Sequence, residues 1–141
     1  MDLNGFFAMI FEFGGLMYIK DFSDEIFAAD LYTSIGLFTS IISFFLVLTF
    51  YFIINRPSFS LWQHWLIVLL ANFVISFIIG FILPTNNFNS VGIDFLPGVQ
   101  YWTFALFTAI ISTLFFVIWT YCFKWWYGDA RGTPKIFFGK F

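Results

Sequence analysis

The side chains that could do chemistry are few and scattered. His64 is the only histidine and Cys122 the only cysteine. A haem held by two histidines needs a second one, and a zinc site needs three or four ligands that this spacing does not assemble. His64 stands between Trp62 and Trp65, a setting that suits the membrane–water interface; a ligand shared with another subunit is the functional alternative. One cysteine excludes an internal disulfide and a cysteine-based metal cluster. Asp21, Asp24, Glu25 and Asp30 form an acidic collar that could attract Ca²⁺ or a basic partner. The collar lacks the regular spacing and glycine of a calcium loop, and a solvated helix start accounts for it. Glu12, set among Ile10, Phe11 and Phe13, either snorkels to lipid headgroups or pairs with a partner chain. These residues supply no nucleophile–base pair, no phosphate loop and no intramembrane carboxylate. The reading is a non-enzymatic protein with no cofactor, no metal, no small-molecule substrate and no nucleic-acid partner.

The elements that must position these residues are apolar. Leu31–Ile54, Leu61–Leu83 and Val99–Phe123 contain no Asp, Glu, Lys or Arg. As helices they are about 36, 35 and 38 Å long, enough to cross a hydrocarbon core of about 30 Å. The chain has 141 residues, of which 61% are hydrophobic and 10% charged, with a mean hydropathy of +0.92. That composition lies outside the range of soluble domains. The expected fold is all-α: a polytopic membrane protein with three transmembrane helices and an N-terminal helix, interfacial or packed on the bundle. A single membrane domain follows, divided into an N-terminal helix 3–19, spans at 24–54, 61–83 and 99–127, an outer loop 84–98 and a basic-aromatic tail 128–141. Asp2 and Glu12 interrupt the start in a way foreign to a signal peptide, so Met1 is expected to be retained.

Local signals set the boundaries. Ser23 reads as an N-cap with Phe22 and Phe27 as a hydrophobic staple, starting the first long helix. Asn55-Arg56-Pro57 ends that helix. Ser60-Leu61-Trp62-Gln63 has the form of a capping box. The second span is expected to stop before Pro84, and Gly128 to terminate the third.

Charge orients the bundle. Arg56, Lys124, Arg131, Lys135 and Lys140 fall on one side and only Lys20 on the other, which places the N-terminus outside and the C-terminus inside. The membrane is read as a bacterial cytoplasmic (inner) membrane, with the mitochondrial inner membrane as the alternative. Trp62 and Trp65 on the inner side, Trp102 on the outer, and Trp119, Trp125 and Trp126 on the inner read as interface anchors. Trp102 and Trp125 are separated by about 34 Å of helix.

Small or weakly polar residues recur within the spans: Gly36, Ser40 and Ser43; Asn72, Ser76 and Gly80; Ala105, Ala109 and Ser112. They are expected to let helices approach closely. Asn72 is the one strongly polar side chain in mid-span, and its expected partners are Ser40 or Ser43 on one neighbour and Ser112 or Thr113 on the other. Lys135, Phe137, Phe138, Lys140 and Phe141 suit adsorption to an anionic leaflet or insertion into a partner. The functional expectation is a structural subunit that anchors or scaffolds a larger membrane assembly or a homo-oligomer, its partners being lipids and other membrane subunits or copies of itself. A small oligomeric channel lined by Asn72, Ser76 and the hydroxyls of the third span is the alternative. A lipid- or quinone-binding accessory subunit is the second alternative.

Overall fold

A computed structural model describes residues 2–54, 62–93, 95 and 98–127, and within them there are helices and no strand. Three helices are long and apolar enough to cross a membrane, over Leu31–Phe52, Gln63–Val91 and Val99–Lys124. They belong to α3 (Leu31–Thr49, continued by a π-helical turn Phe50–Ile54), α4 (Trp62–Val91) and α5 (Val99–Tyr127). Two short helices precede them, α1 (Leu3–Phe11) and α2 (Phe22–Ala28). In α4 against α5, Gly80 meets Thr108 and Trp65 meets Thr120, so numbers fall in one as they rise in the other and the two are antiparallel. Tyr51 and Ser43 of α3 meet Thr120 and Ser112, so α3 runs parallel to α5.

The core has three storeys. At one end an aromatic cluster gathers Phe7, Phe11, Phe22, Ile26, Phe88, Tyr101 and Phe104. At the other, Val47, Phe50, Tyr51, Val68 and Phe116 pack together. The wider π turn brings consecutive residues Phe50 and Tyr51 inward, at 1% and 6% exposure. Between the clusters lies a layer of buried serines and Asn72.

Four boundaries differ from the sequence expectation. The N-terminal helix ends at Phe11 instead of reaching 19, because Phe13, Gly14 and Gly15 all take positive φ and reverse the chain. Glycine adopts that backbone without steric cost, so the Gly14-Gly15 pair ends the helix. Asp2 caps α1, its Oδ1 accepting from the Gly5 N–H at 2.8 Å. The first long helix is not continuous from 24 to 54: it breaks at Ala29 and Asp30, where Asp30 is left-handed with φ 53°. Straight continuation would carry Phe22 and Ile26 away from the bundle, whereas the bend makes both fully buried. That burial contributes about 3–6 kcal/mol, against about 1–2 kcal/mol for a non-glycine left-handed residue.

Ser23 does not cap this segment. It is buried, and its Oγ accepts from the Ile19 N–H at 3.0 Å, while Phe22 packs inward and Phe27 stays exposed, so the staple is not made. Finally, α4 runs through Pro84 to Val91, shortening the expected outer loop. An interior proline costs about 3 kcal/mol. In return Phe88, 1% exposed, docks against Phe22 and Phe95, and the Thr85 hydroxyl donates to the Phe81 carbonyl just beyond the break. The Asn55-Arg56-Pro57 stop, the Ser60 capping box, Gly128 and the tail residues Lys135, Phe137, Phe138, Lys140 and Phe141 lie outside the described residues.

Candidate functional site

The middle storey is the most polar part of the bundle interior. Ser43 from α3, Asn72 and Ser76 from α4, and Ser112 from α5 are all fully buried. Each occupies the inward face of a helix whose outward faces carry exposed Phe38, Ile41 and Phe45 on α3, Ile67, Leu70 and Val74 on α4, and Leu106, Leu114 and Ile118 on α5. A single assignment of protons satisfies the layer. Ser76 Oγ donates to Ser112 Oγ at 2.6 Å, Ser112 Oγ to Ser43 Oγ at 3.1 Å, and Ser43 Oγ to Asn72 Oδ1 at 2.9 Å. The two Asn72 Nδ2 protons go to Ser112 Oγ at 3.0 Å and to the Ser112 carbonyl at 3.2 Å. The circuit joins all three long helices through neutral groups. Hydroxyls, an amide and carbonyls fix geometry here; a buried polar network specifies packing when each member has its partner.

Of the expected partners of Asn72, Ser43 and Ser112 are used. Ser40 is half-buried, and the Thr113 hydroxyl donates to the Ala109 carbonyl in its own helix. Ala105 and Ala109 are fully buried in α5, and Gly80 receives Thr108. Gly36, read from the sequence as a contact between spans, instead receives the ring of Phe7 from α1.

The aromatic anchors divide. Trp102 is 58% exposed at the capped end and packs on Phe81, with ring centroids 4.8 Å apart. Trp65 and Trp119 are drawn into the opposite end of the bundle, Trp65 Nε1 donating to Thr120 Oγ1 at 3.3 Å and Trp119 meeting Phe44 edge-on at 5.0 Å. Of Trp62, Trp125 and Trp126 only the backbone is described, all three being helical. His64 is half-buried at the start of α4, and Cys122 is exposed on α5.

A second polar set holds the N-terminal cap. Asn4, 4% exposed, donates through Nδ2 to the Phe27 carbonyl at 2.8 Å and accepts at Oδ1 from the Thr33 N–H at 3.3 Å. It thus bridges the end of α2 and the start of α3, giving the Phe27 carbonyl a second donor beside the Asp30 N–H and supplying an acceptor to the Thr33 N–H in the first turn of α3. Sequence reasoning passed over it, although it is the one amide in the apolar run 3–19 and the same burial argument applied to Asn72 would have found it. Glu12 is half-buried, and its Oε1 accepts from the fully buried Tyr32 hydroxyl at 2.9 Å. Its hydrogen-bond partner therefore comes from within the chain. Tyr18 donates to Asp24 at 2.8 Å, a bond that holds its phenol pKa above the usual value. Glu12, Gly14, Tyr18, Asp24 and Phe27 line an open cavity of about 420 Å³.

Tyr32→Phe removes the hydroxyl and leaves the Glu12 carboxylate half-buried. The expected loss is about 1.5–3 kcal/mol, the range of a hydrogen bond to a charged group, read as a lower unfolding midpoint in detergent. Glu12→Gln made alone keeps a neutral acceptor for the Tyr32 hydroxyl and should cost less, about 1 kcal/mol or below.

Among the described residues no group of three or more His, Cys, Asp or Glu is placed to hold a metal ion. The chain matches no protein-family model, no curated protein and no solved structure.

Proposed function

We propose that this protein is an integral membrane structural subunit, an anchor or scaffold for a larger membrane assembly or for copies of itself. The observation that carries the reading is where polarity lies: in mid-bundle Ser43, Asn72, Ser76 and Ser112 are fully buried and hydrogen-bonded to one another, while apolar side chains stand exposed on all three long helices. Lipid is the solvent in which such an exterior is stable and such an interior has no reason to open.

The same observation weighs against the channel alternative. A path between copies lined by Asn72 and Ser76 would need those side chains to leave their own chain's circuit, and the α4 surface free to face it carries apolar side chains such as Ile67, Leu70 and Val74. The proposed setting is a bacterial cytoplasmic membrane with the N-terminus and the α1–α2 cap outside and the basic tail inside, from the distribution of Lys and Arg. In this reading α1 lies at the outer leaflet, since Phe7 rests on Gly36 and Phe11 on Phe104, near the ends of two candidate spans. Exposed Leu3, Phe6 and Met9 of α1, with Phe13 just beyond it, then face lipid or a neighbouring subunit.

Extraction in mild detergent followed by native mass measurement tests the assignment. A stable complex, with itself or with other membrane proteins, is the expected result; a monodisperse monomer with nothing bound would overturn it. Reporters fused to the two ends should respond from opposite compartments.

A further inference from the structure

The outer face of α1 and the cavity at its end form one continuous surface. α1 lies across α3 and not along it: Asn4 bonds the Thr33 N–H, Phe7 rests on Gly36 and Glu12 bonds Tyr32, so the crossing is at nearly one level. That level is inside a candidate span, since Gly36 lies about 7 Å down the helix from Leu31, where the span begins. It is also close to an interface marker. The Tyr32 ring meets Phe104, near exposed Trp102 at the start of α5, and a tryptophan at the end of a span sits among headgroups.

The side of α1 turned from the bundle carries Leu3, Phe6 and Met9, all exposed and none charged. Leu37 and Phe38, which follow Gly36 in α3, are exposed too and extend this apolar surface onto the span. Met9 also lines the cavity of about 420 Å³, together with Glu12, Tyr18, Asp24 and Phe27. Each carboxylate accepts from one phenol, Glu12 Oε1 from Tyr32 and Asp24 Oδ1 from Tyr18. Among the described residues neither makes an ion pair. Their second oxygens and their charge are left for a donor from outside the chain, and walls of Tyr18 and Phe27 suit a cation.

We propose, on the membrane placement given above, that this surface binds one phospholipid of the outer leaflet, its chains along α1 and its headgroup, bearing a primary ammonium, in the cavity. Acyl chains are the cover that an uncharged helix face meets when it lies in the plane of the interface. A primary ammonium brings three N–H donors to the free carboxylate oxygens. A quaternary ammonium brings charge and no donor, and a headgroup whose only charge is its phosphate is repelled by both carboxylates. The expected order of binding is phosphatidylethanolamine, then phosphatidylcholine, then phosphatidylglycerol.

Nitroxide labels in a Cys122→Ser background, in lipid nanodiscs, identify what covers α1. At Phe6→Cys the label should be open to oxygen and shielded from a water-soluble nickel chelate, as contact with lipid requires. Openness to the chelate, or shielding from both as under a second copy or another subunit, would overturn the lipid site. A label at Leu70→Cys, on the exposed face of α4, tests the membrane placement separately. If it meets lipid and Phe6→Cys does not, the placement stands and the α1 site falls; if it is open to the chelate, both fall. Headgroup choice is read by native mass measurement of protein released from nanodiscs with equal phosphatidylethanolamine and phosphatidylglycerol. The parent should retain the ethanolamine lipid in at least about fivefold excess, and Glu12→Gln with Asp24→Asn should bring the ratio to about one. Equal retention by the parent, or a ratio that the double variant leaves unchanged, would overturn the headgroup site. Free ethanolamine should not displace the lipid; displacement at millimolar concentration would assign the cavity to small soluble amines instead. Unfolding midpoints of all variants establish that each is folded.

Discussion

Gly36→Val should lift α1 from the bundle. Gly36 is fully enclosed in α3, and a Cβ built on it falls inside the van der Waals envelope of the Phe7 ring. Neither side yields easily. Phe7 is 7% exposed, and α1 is held to the rest of the chain on one side of it by Asn4, bonded to Phe27 and Thr33, and on the other by the Glu12–Tyr32 bond. The α3 backbone is braced where Thr39 Oγ1 bonds the Ile35 and Gly36 carbonyls. Valine therefore forces α1 to shift or to undock, giving up burial of Phe7 and Phe11 at about 1.5–3 kcal/mol each if they become fully exposed. A net loss of about 2–4 kcal/mol is expected after relaxation. Hydrogen exchange of the amides in residues 3–12 should accelerate at least about 30-fold, the equivalent of 2 kcal/mol, while the amides around Asn72 keep their protection. Unchanged exchange in the N-terminal segment would mean that Phe7 does not dock on Gly36.

Asn72→Leu carries the second large effect. The amide contributes three hydrogen bonds in the buried circuit, reaching both neighbouring helices. Its loss is cushioned, because Ser43 Oγ has the Thr39 carbonyl at 2.8 Å as another acceptor and Ser76 still donates to Ser112. Interhelical hydrogen bonds inside lipid contribute about 0.6–2 kcal/mol, and a branched side chain in a fully packed slot adds about 1 kcal/mol or more. Asn72→Leu is thus expected to cost about 2–3 kcal/mol, and Ser76→Ala less than about 1 kcal/mol. Unfolding in mixed detergent reads both. In a double-mutant cycle, Ser43→Ala and Asn72→Leu should be non-additive because they share one bond. Full additivity would mean that the two side chains do not meet.

Much of the helix inventory was legible in the chain. Absence of charge over three stretches, each longer than the hydrocarbon is thick, marks the helices wherever they pack, because length and transfer free energy belong to the segment itself. A lone amide in mid-span had to find a partner within reach, which limited Asn72 to a few hydroxyls, Ser43 and Ser112 among them. Asn4 obeys the same rule and carries the same signal. Gly36 shows the limit of such reasoning: a small residue announces a close approach and leaves unsaid which element makes it.

Composition and spacing along the chain determined that this protein has three long apolar helices, with polarity admitted at a few small positions, since those properties are sums over neighbouring residues. The tertiary structure alone decided that the chain bends at Asp30, that α4 runs on through Pro84 and that α1 folds back onto α3. Each of these breaks a local rule at a cost of about 1–3 kcal/mol, and each is offset by Phe22, Phe88 or Phe7 entering one aromatic cluster. Contacts between residues dozens of positions apart set that balance, and no window of sequence contains both sides of it.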